Sequence, residues 1–418
     1  MAHKILDREH RRLERMARNS DFHKLFKHIA DLNQPLDVPK RLLIGSQNGS
    51  DIYIQGYAPV RGILERFIYL DHIYDPSTLT TQTQVTQRRT PAERLVLEAP
   101  VEGAIHRHYL RTVPRQCFLA NHSPCSHRII HAHSIQAAQI KPHARDGKVY
   151  FVQPLAERRD WMMDVKLIGA NRATTFTGIC EKHDQEIFRP IEVYSFKGTP
   201  EQLFLYHYRA LLKDYFIRLH ARAYLESVIS ELSGQGLGSQ LHYLCDLLEM
   251  TKLDLLEIET GKSELDQKLK AGDFGDLSGC WMRGSGTPGV LFTTVVYPLR
   301  DLKGRPFPNR HSEKLENWVS LTVTIEGDRP LVIVSGRRDS AILIQMLDSL
   351  REIPLNQLPA ALCQYGLACT EKFVIVPAWW EGLKPSARRA AQLLFNTRFY
   401  TDYFKGPFGW SFDTPQFF

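Results

Sequence analysis

The chain has 418 residues, 43% of them hydrophobic and 24% charged, with a net charge of +7. That length accommodates two or three domains with cores of their own, and the composition is that of an ordinary globular protein rather than a fibrous, disordered or membrane-embedded one. Apolar runs stop short of a membrane span and the arginine-rich N-terminus lacks the apolar stretch of a secretory leader, so the expected setting is cytoplasmic and off the membrane.

Residues 1–33 read as a helix, with Leu6, Leu13, Met16, Phe22, Leu25, Phe26 and Ile29 at near-helical spacing among many cations. After Pro35 and Pro39, the runs Arg41–Ile44 and Asp51–Gln55 read as strands around the turn signal Asn48-Gly49. Residues 61–72 fit a short helix or a strand equally, and Pro76–Thr90, polar and rich in Thr and Gln, reads as a loop or linker. Thr199-Pro200 is a helix start, with Thr199 as N-cap and proline at the first position. A long amphipathic helix follows to about 233, and a second spans about Ser239–Ala271 after the glycine-rich break at 234–238. Two long helices joined by so short a connection pack as an antiparallel hairpin.

Beyond Gly272 the pattern changes. Gly289–Tyr297, Trp318–Glu326 and Pro330–Val334 are β-branched runs joined by turn residues and read as antiparallel strands. Ser340–Glu352, Leu358–Tyr365 and Pro385–Asn396 read as helices, Lys372–Ala378 as a buried strand, and the aromatic tail from Phe399 as a docked segment. The expected fold is α+β in four parts. Residues 1–105 form an N-terminal helix-and-strand region, 106–196 a metal-binding module, 197–275 the helical hairpin, and 276–418 an antiparallel α+β domain.

Two glycine motifs carry no nucleotide site. Gly284-Ser285-Gly286-Thr287-Pro288-Gly289 fits GxGxxG but precedes a strand, with proline where a helix would open. Gly261-Lys262-Ser263 resembles the end of a P-loop, but Leu256 stands where the first glycine is needed and the segment is helical.

The cysteines point elsewhere. There are seven, an odd number and a poor basis for a disulfide framework without a leader; clustered cysteines then suggest metal ligands. Cys117, Cys125 and Cys180 keep company with histidines, whereas Cys245, Cys280, Cys363 and Cys369 sit in apolar settings. Cys117 and Cys125 flank FLANHSP, whose Asn, Ser and Pro are turn chemistry. Cys180-Glu181-Lys182-His183 supplies a second pair at C-x2-H spacing. Thiolates with an imidazole suit a closed tetrahedral zinc, so Cys117, Cys125, Cys180 and His183 are the expected ligands of a structural Zn2+.

Between the pairs, a strand over Arg128–Ile135 would put His131 and His133 on one face with Ile129 and Ile135. On residues alone His133 has three possible roles: a further metal ligand competing with His183, a catalytic base, or a satisfied core histidine. Residues 101–150 also hold seven Lys/Arg against two Asp/Glu, with seven histidines, a balance suited to an anionic partner such as nucleic acid.

The order Cys…Cys, a strand carrying His, then Cys-x2-His opening a helix resembles the zinc-bound treble clef of HNH (ββα-metal) nucleases. The phrases HAHSIQ, KVYF, ATTFTGICEKHDQEIFRPIE and FLYHYRALLKDYF, over about 117–215, are also similar to a family of uncharacterised bacterial proteins. The HNH resemblance implies His133 as general base, Asn171 as the residue that orients it, and Mg2+ or Mn2+ at the scissile phosphate, in a bacterial defence or mobile-element setting. This chain departs from the HNH pattern in two ways. Ala132 stands where a metal ligand is usual, and His183 cannot serve both zinc and a catalytic ion, so His131 or Asp184 would have to substitute. His183-Asp184 also resembles the doublet of HD phosphohydrolases, although Cys180 three residues earlier fits a zinc knuckle better. Two functions remain open: a metal-dependent endonuclease, or a non-catalytic zinc-stapled module that grips nucleic acid or a protein partner.

Overall fold

The computed structural model describes residues 42–47, 50–54, 99–154, 163–233, 238–284, 288–296, 318–354 and 372–384, with isolated positions among 301–307, 358–370 and at 388. The expected helix at 1–33, the 61–72 element, the 76–90 loop, most of the 385–396 helix and the aromatic tail lie outside them. Two short strands near the N-terminus, β1 (Leu42–Gln47) and β2 (Ser50–Ile54), pair antiparallel with Gln47 opposite Ser50.

The body is mixed α and β, and among the described residues every strand pairs antiparallel, as expected. Its centre is a seven-stranded sheet. In chain order the strands are β4 (Lys148–Pro154), β5 (Met163–Gly169), β7 (Leu277–Arg283), β8 (Val290–Val296), β9 (Val319–Glu326), β10 (Arg329–Arg337) and β11 (Phe373–Ile375). Across the sheet they run β5-β4-β11-β8-β9-β10-β7. The sheet thus combines two strands from before the long helices with five from after them. Sequence reading assigned no strands to β4, β5 or β7. In the chain the GxGxxG-like segment falls between β7 and β8, ahead of a strand as expected.

Alternation sorts the two sheet faces. On β10, Val332 and Val334 face one core and Leu331 and Ile333 the other. The first core is closed by Ile342, Leu343, Met346 and Leu350 of a helix, Ala341–Glu352, capped by the Ser340 hydroxyl on Leu343 N. Against the second face lies a 33-residue helix, Pro200–Leu232, with the expected Thr199 cap accepting from Gln202 N.

That helix is not amphipathic along its whole length. Positions 202–213 are buried on every side, because the helix is wedged between the sheet, the metal-binding segment and its hairpin partner. Several of its polar residues find partners inside the protein, although His207 Nδ1 and Arg209 Nε are buried without one. Lys213 Nζ donates to Thr293 O at 2.5 Å, and Asp214 Oδ2 accepts from Val295 N at 2.6 Å. The facing strands add Thr293–Thr322 and Ser320–Ser335 hydroxyl pairs, each at 2.7 Å.

The partner helix, Gly238–Ala271, runs in the opposite sense, as shown by Tyr215 Oη to Glu259 at 3.3 Å and Arg218 to Asp254 at 3.2 Å. Towards the far end of the hairpin it packs on Leu225, Val228 and Leu232 together with Val101, Ala104 and Ile105 of a helix, Ala99–Arg111. Among the described residues no helix is long and apolar enough to cross a membrane.

Candidate metal centre

A two-stranded antiparallel ribbon, β3 (Ile129–His133) with β6 (Thr175–Cys180), leads directly into a helix, Glu181–Glu192. Cys180 is at once the last residue of β6 and the extended N-cap residue of that helix. His183 lies in the helix's first turn and, like Cys180, has no exposed surface. The preceding loop brings the other two cysteines. Phe118 and Leu119 sink into the core, with the Phe118 ring edge-on to Tyr215 at 4.9 Å, and Phe118 N donates to Gly178 O at 2.8 Å.

Gly178 makes that docking possible. The β3–β6 register shifts between Ile130 and Ala132, so that Thr177 and Gly178 lie opposite His131 in a β-bulge. A Cβ on Gly178 would come within 2.2 Å of the Phe118 ring. The loop then returns through Cys125 and Ser126 to His127, whose φ of 59° turns the chain sharply into β3.

The four expected ligands meet. The Sγ atoms of Cys117, Cys125 and Cys180 and one ring nitrogen of His183 all lie within 4.8 Å of one another. A zinc tetrahedron with ordinary bond lengths places its ligand atoms about 3.5–3.8 Å apart, so modest contraction around an ion closes the set. Three sulfurs and one imidazole nitrogen, all on short backbone segments, could hold a metal ion, and such a donor set is consistent with a structural zinc.

The sulfurs are held in a network of hydrogen bonds. Cys117 Sγ accepts from Cys180 N at 3.3 Å and lies 3.2 Å from His183 Nδ1, and Cys125 Sγ accepts from His127 N at 3.4 Å. Burial pushes the Cys117 thiol up to about 12, so without a metal it stays protonated. Burial also raises Cys180, but hydrogen bonds from Ser126, His183 N and Cys125 outweigh it and bring this thiol down to about 7. Burial holds His183 below the usual histidine value, which keeps the imidazole neutral and able to donate a lone pair.

His133 is not one of the four. It stands half-buried at the end of β3, with Nε2 3.2 Å from the Asn171 carbonyl oxygen. A carbonyl only accepts, so Nε2 carries the proton and Nδ1 the lone pair. Burial lowers its affinity for a second proton, partly offset by the Asn171 carbonyl, and the ring is neutral at pH 7. Asn171 contributes that backbone carbonyl, and its side chain is exposed. His131 is exposed as well, while Ala132 is buried between them.

Asp184 is not among the converging residues and is paired elsewhere. Arg209, buried over the Phe188 ring at 4.2 Å, pairs with Glu192 and, at 3.5 Å, with Asp184. Among the described residues no second group of His, Cys, Asp or Glu is placed to hold a metal ion. Sequence reading missed Ser123, Ser126 and Arg209. Ser123 sat in the FLANHSP run read only as turn chemistry, Ser126 lay just outside it and drew no reading, and Arg209 sat in a helix read as amphipathic.

No protein-family model matches the chain, and no curated protein or solved structure is significantly similar to it. The metal centre rests on its own geometry.

Proposed function

We propose that this is a zinc-stapled nucleic-acid-binding protein in which the metal is structural. The observation that supports the reading is the convergence of Cys117, Cys125, Cys180 and His183, a set of four donors that would engage His183 and fill a tetrahedral zinc site. The ion supplies a fixed crosslink between the 117–125 loop and the start of the helix at Glu181. The chain's own residues supply the binding surface. Arg115, His127, Arg128, His131, Lys141 and Arg172 are exposed on and beside the stapled ribbon, in a stretch poor in acids. Such a surface neutralises phosphates and releases counterions, so its binding is salt-dependent and tolerant of sequence.

The test is titration of fluorescent single- and double-stranded DNA and RNA with the zinc-loaded protein. Charge reversal at Lys141 and Arg172 together should weaken binding about 10-fold or more at low salt and flatten its salt dependence. No binding to any of the four probes at low salt contradicts the reading.

One observation favours a second reading, that of a nuclease with an HNH-like, treble-clef centre. His133 is neutral, has its Nδ1 lone pair unclaimed by the Asn171 contact, and sits on the first strand of a ββα unit. It has the chemistry to take a proton from water attacking phosphorus. A Mg2+ or Mn2+ ion, when bound, would stabilise the leaving oxygen. Against this, Asp184 and Glu192 are both engaged by Arg209. Loss of Mg2+- or Mn2+-dependent cleavage in His133→Ala, with zinc content intact, would establish that reading. Binding without cleavage by the wild type leaves the structural one.

A further inference from the structure

Beyond the four ligands, the geometry points to a fifth residue on which the zinc site depends. We propose that Ser123 is a positioning residue: its hydroxyl holds the Nε2–H of His183 and so directs the Nδ1 lone pair at the three cysteine sulfurs. The inference rests on the zinc reading above and deepens it.

His183 has two nitrogens, and a neutral imidazole carries its proton on only one of them. Nδ1 lies 3.2 Å from Cys117 Sγ, on the side of the sulfurs, and Nε2 lies 2.8 Å from Ser123 Oγ. A ring that ligates zinc through Nδ1 must carry its proton on Nε2, and the atom facing Nε2 must then accept. Ser123 is the hydroxyl in that place. Its oxygen has lone pairs to offer, and the same hydroxyl can donate when no metal is present, so it fits both proton arrangements of the ring.

Rotating the ring by half a turn about Cβ–Cγ would present carbon to both Cys117 and Ser123. His183 is fully buried, so neither nitrogen would find water instead. The serine is well placed to resist that rotation. It lies in the same short loop as Cys117 and Cys125, and the neighbouring Pro124 carbonyl is held by Lys182 Nζ at 2.9 Å, from the residue just before His183. His122, the other imidazole nearby, meets His183 only edge-on, at 6.3 Å between ring centroids.

The test is a double-mutant cycle read by zinc affinity, measured by competition with a chromophoric chelator on the full-length protein. In the wild-type background Ser123→Ala should weaken zinc binding about 10-fold or more, and Ser123→Thr, which keeps the hydroxyl, should restore most of it. In the His183→Cys background, where zinc can still find four ligands but no imidazole is present, Ser123→Ala should change nothing. A direct readout accompanies the cycle: in protein labelled with 15N-histidine, zinc-loaded His183 should show a metal-bound Nδ1 and a protonated Nε2. Equal losses in the two backgrounds, no loss in either, or zinc bound through Nε2 overturns the proposal. Absence of zinc binding by the wild type overturns instead the zinc reading on which it stands.

Discussion

At the residue scale, the four residues that converge as candidate metal ligands were legible because zinc chemistry leaves a mark in spacing: Cys-x2-His opening a helix, and two cysteines around a turn-forming run. What surrounds them was not legible. Ser123 and Ser126 act through contacts between segments about sixty positions apart, which no local pattern encodes. The bulge at Gly178 is a similar case. That glycine carries no signal of its own in the sequence, and its reason is the Phe118 ring lying where a Cβ would go. Gly178→Val should therefore push Phe118 and the adjoining Cys117 loop away. We expect a loss of about 2 kcal/mol in unfolding free energy together with weaker zinc binding, measured by urea titration and chelator competition on one preparation. Unchanged zinc affinity would mean that the loop docks independently of the bulge.

At the element scale, the long helix Pro200–Leu232 was found with its cap and ends, and misjudged in its faces. Helical periodicity marks an apolar stripe when one side meets water. Here the first half meets protein all round, and its polar residues read as solvated until the sheet opposite them is known. His207 and His220 on this helix are both held by burial down to about 4, against 6.5 for a free histidine. Both are neutral in the fold. Below about pH 6.5 the unfolded chain takes up protons that the folded chain refuses, so stability is full above that value and falls as the pH drops towards 4. The loss is on the order of 3 kcal/mol for each histidine across the window. His220→Gln should make the decline between about pH 7 and pH 5 shallower than in the wild type, by urea unfolding. Zinc release on acidification acts on both proteins alike, so the difference isolates the histidine. Equal slopes would contradict the burial of a neutral ring.

At the scale of the whole molecule, α+β character with antiparallel strands was readable from pattern, as was the helical hairpin. The way the parts join was not. The strands β4 and β5 lie between the two halves of the metal ligand set in sequence, yet they extend the sheet built from β7 to β11. Strand pairing over such distances is a property of the assembled sheet, and no single segment announces it. In consequence the stapled ribbon, the buried helix and the sheet share one apolar core, in which Phe118, Phe188, Phe204 and Ile333 belong to the same cluster. The metal is then expected to stabilise far more than its own loop. The most direct check is the zinc content of the purified full-length protein, by elemental mass spectrometry, beside that of a Cys117→Ser/Cys180→Ser variant. About one zinc per chain in the wild type and none in the variant is the expected result. A wild type without zinc, or a variant that retains it, would contradict the account.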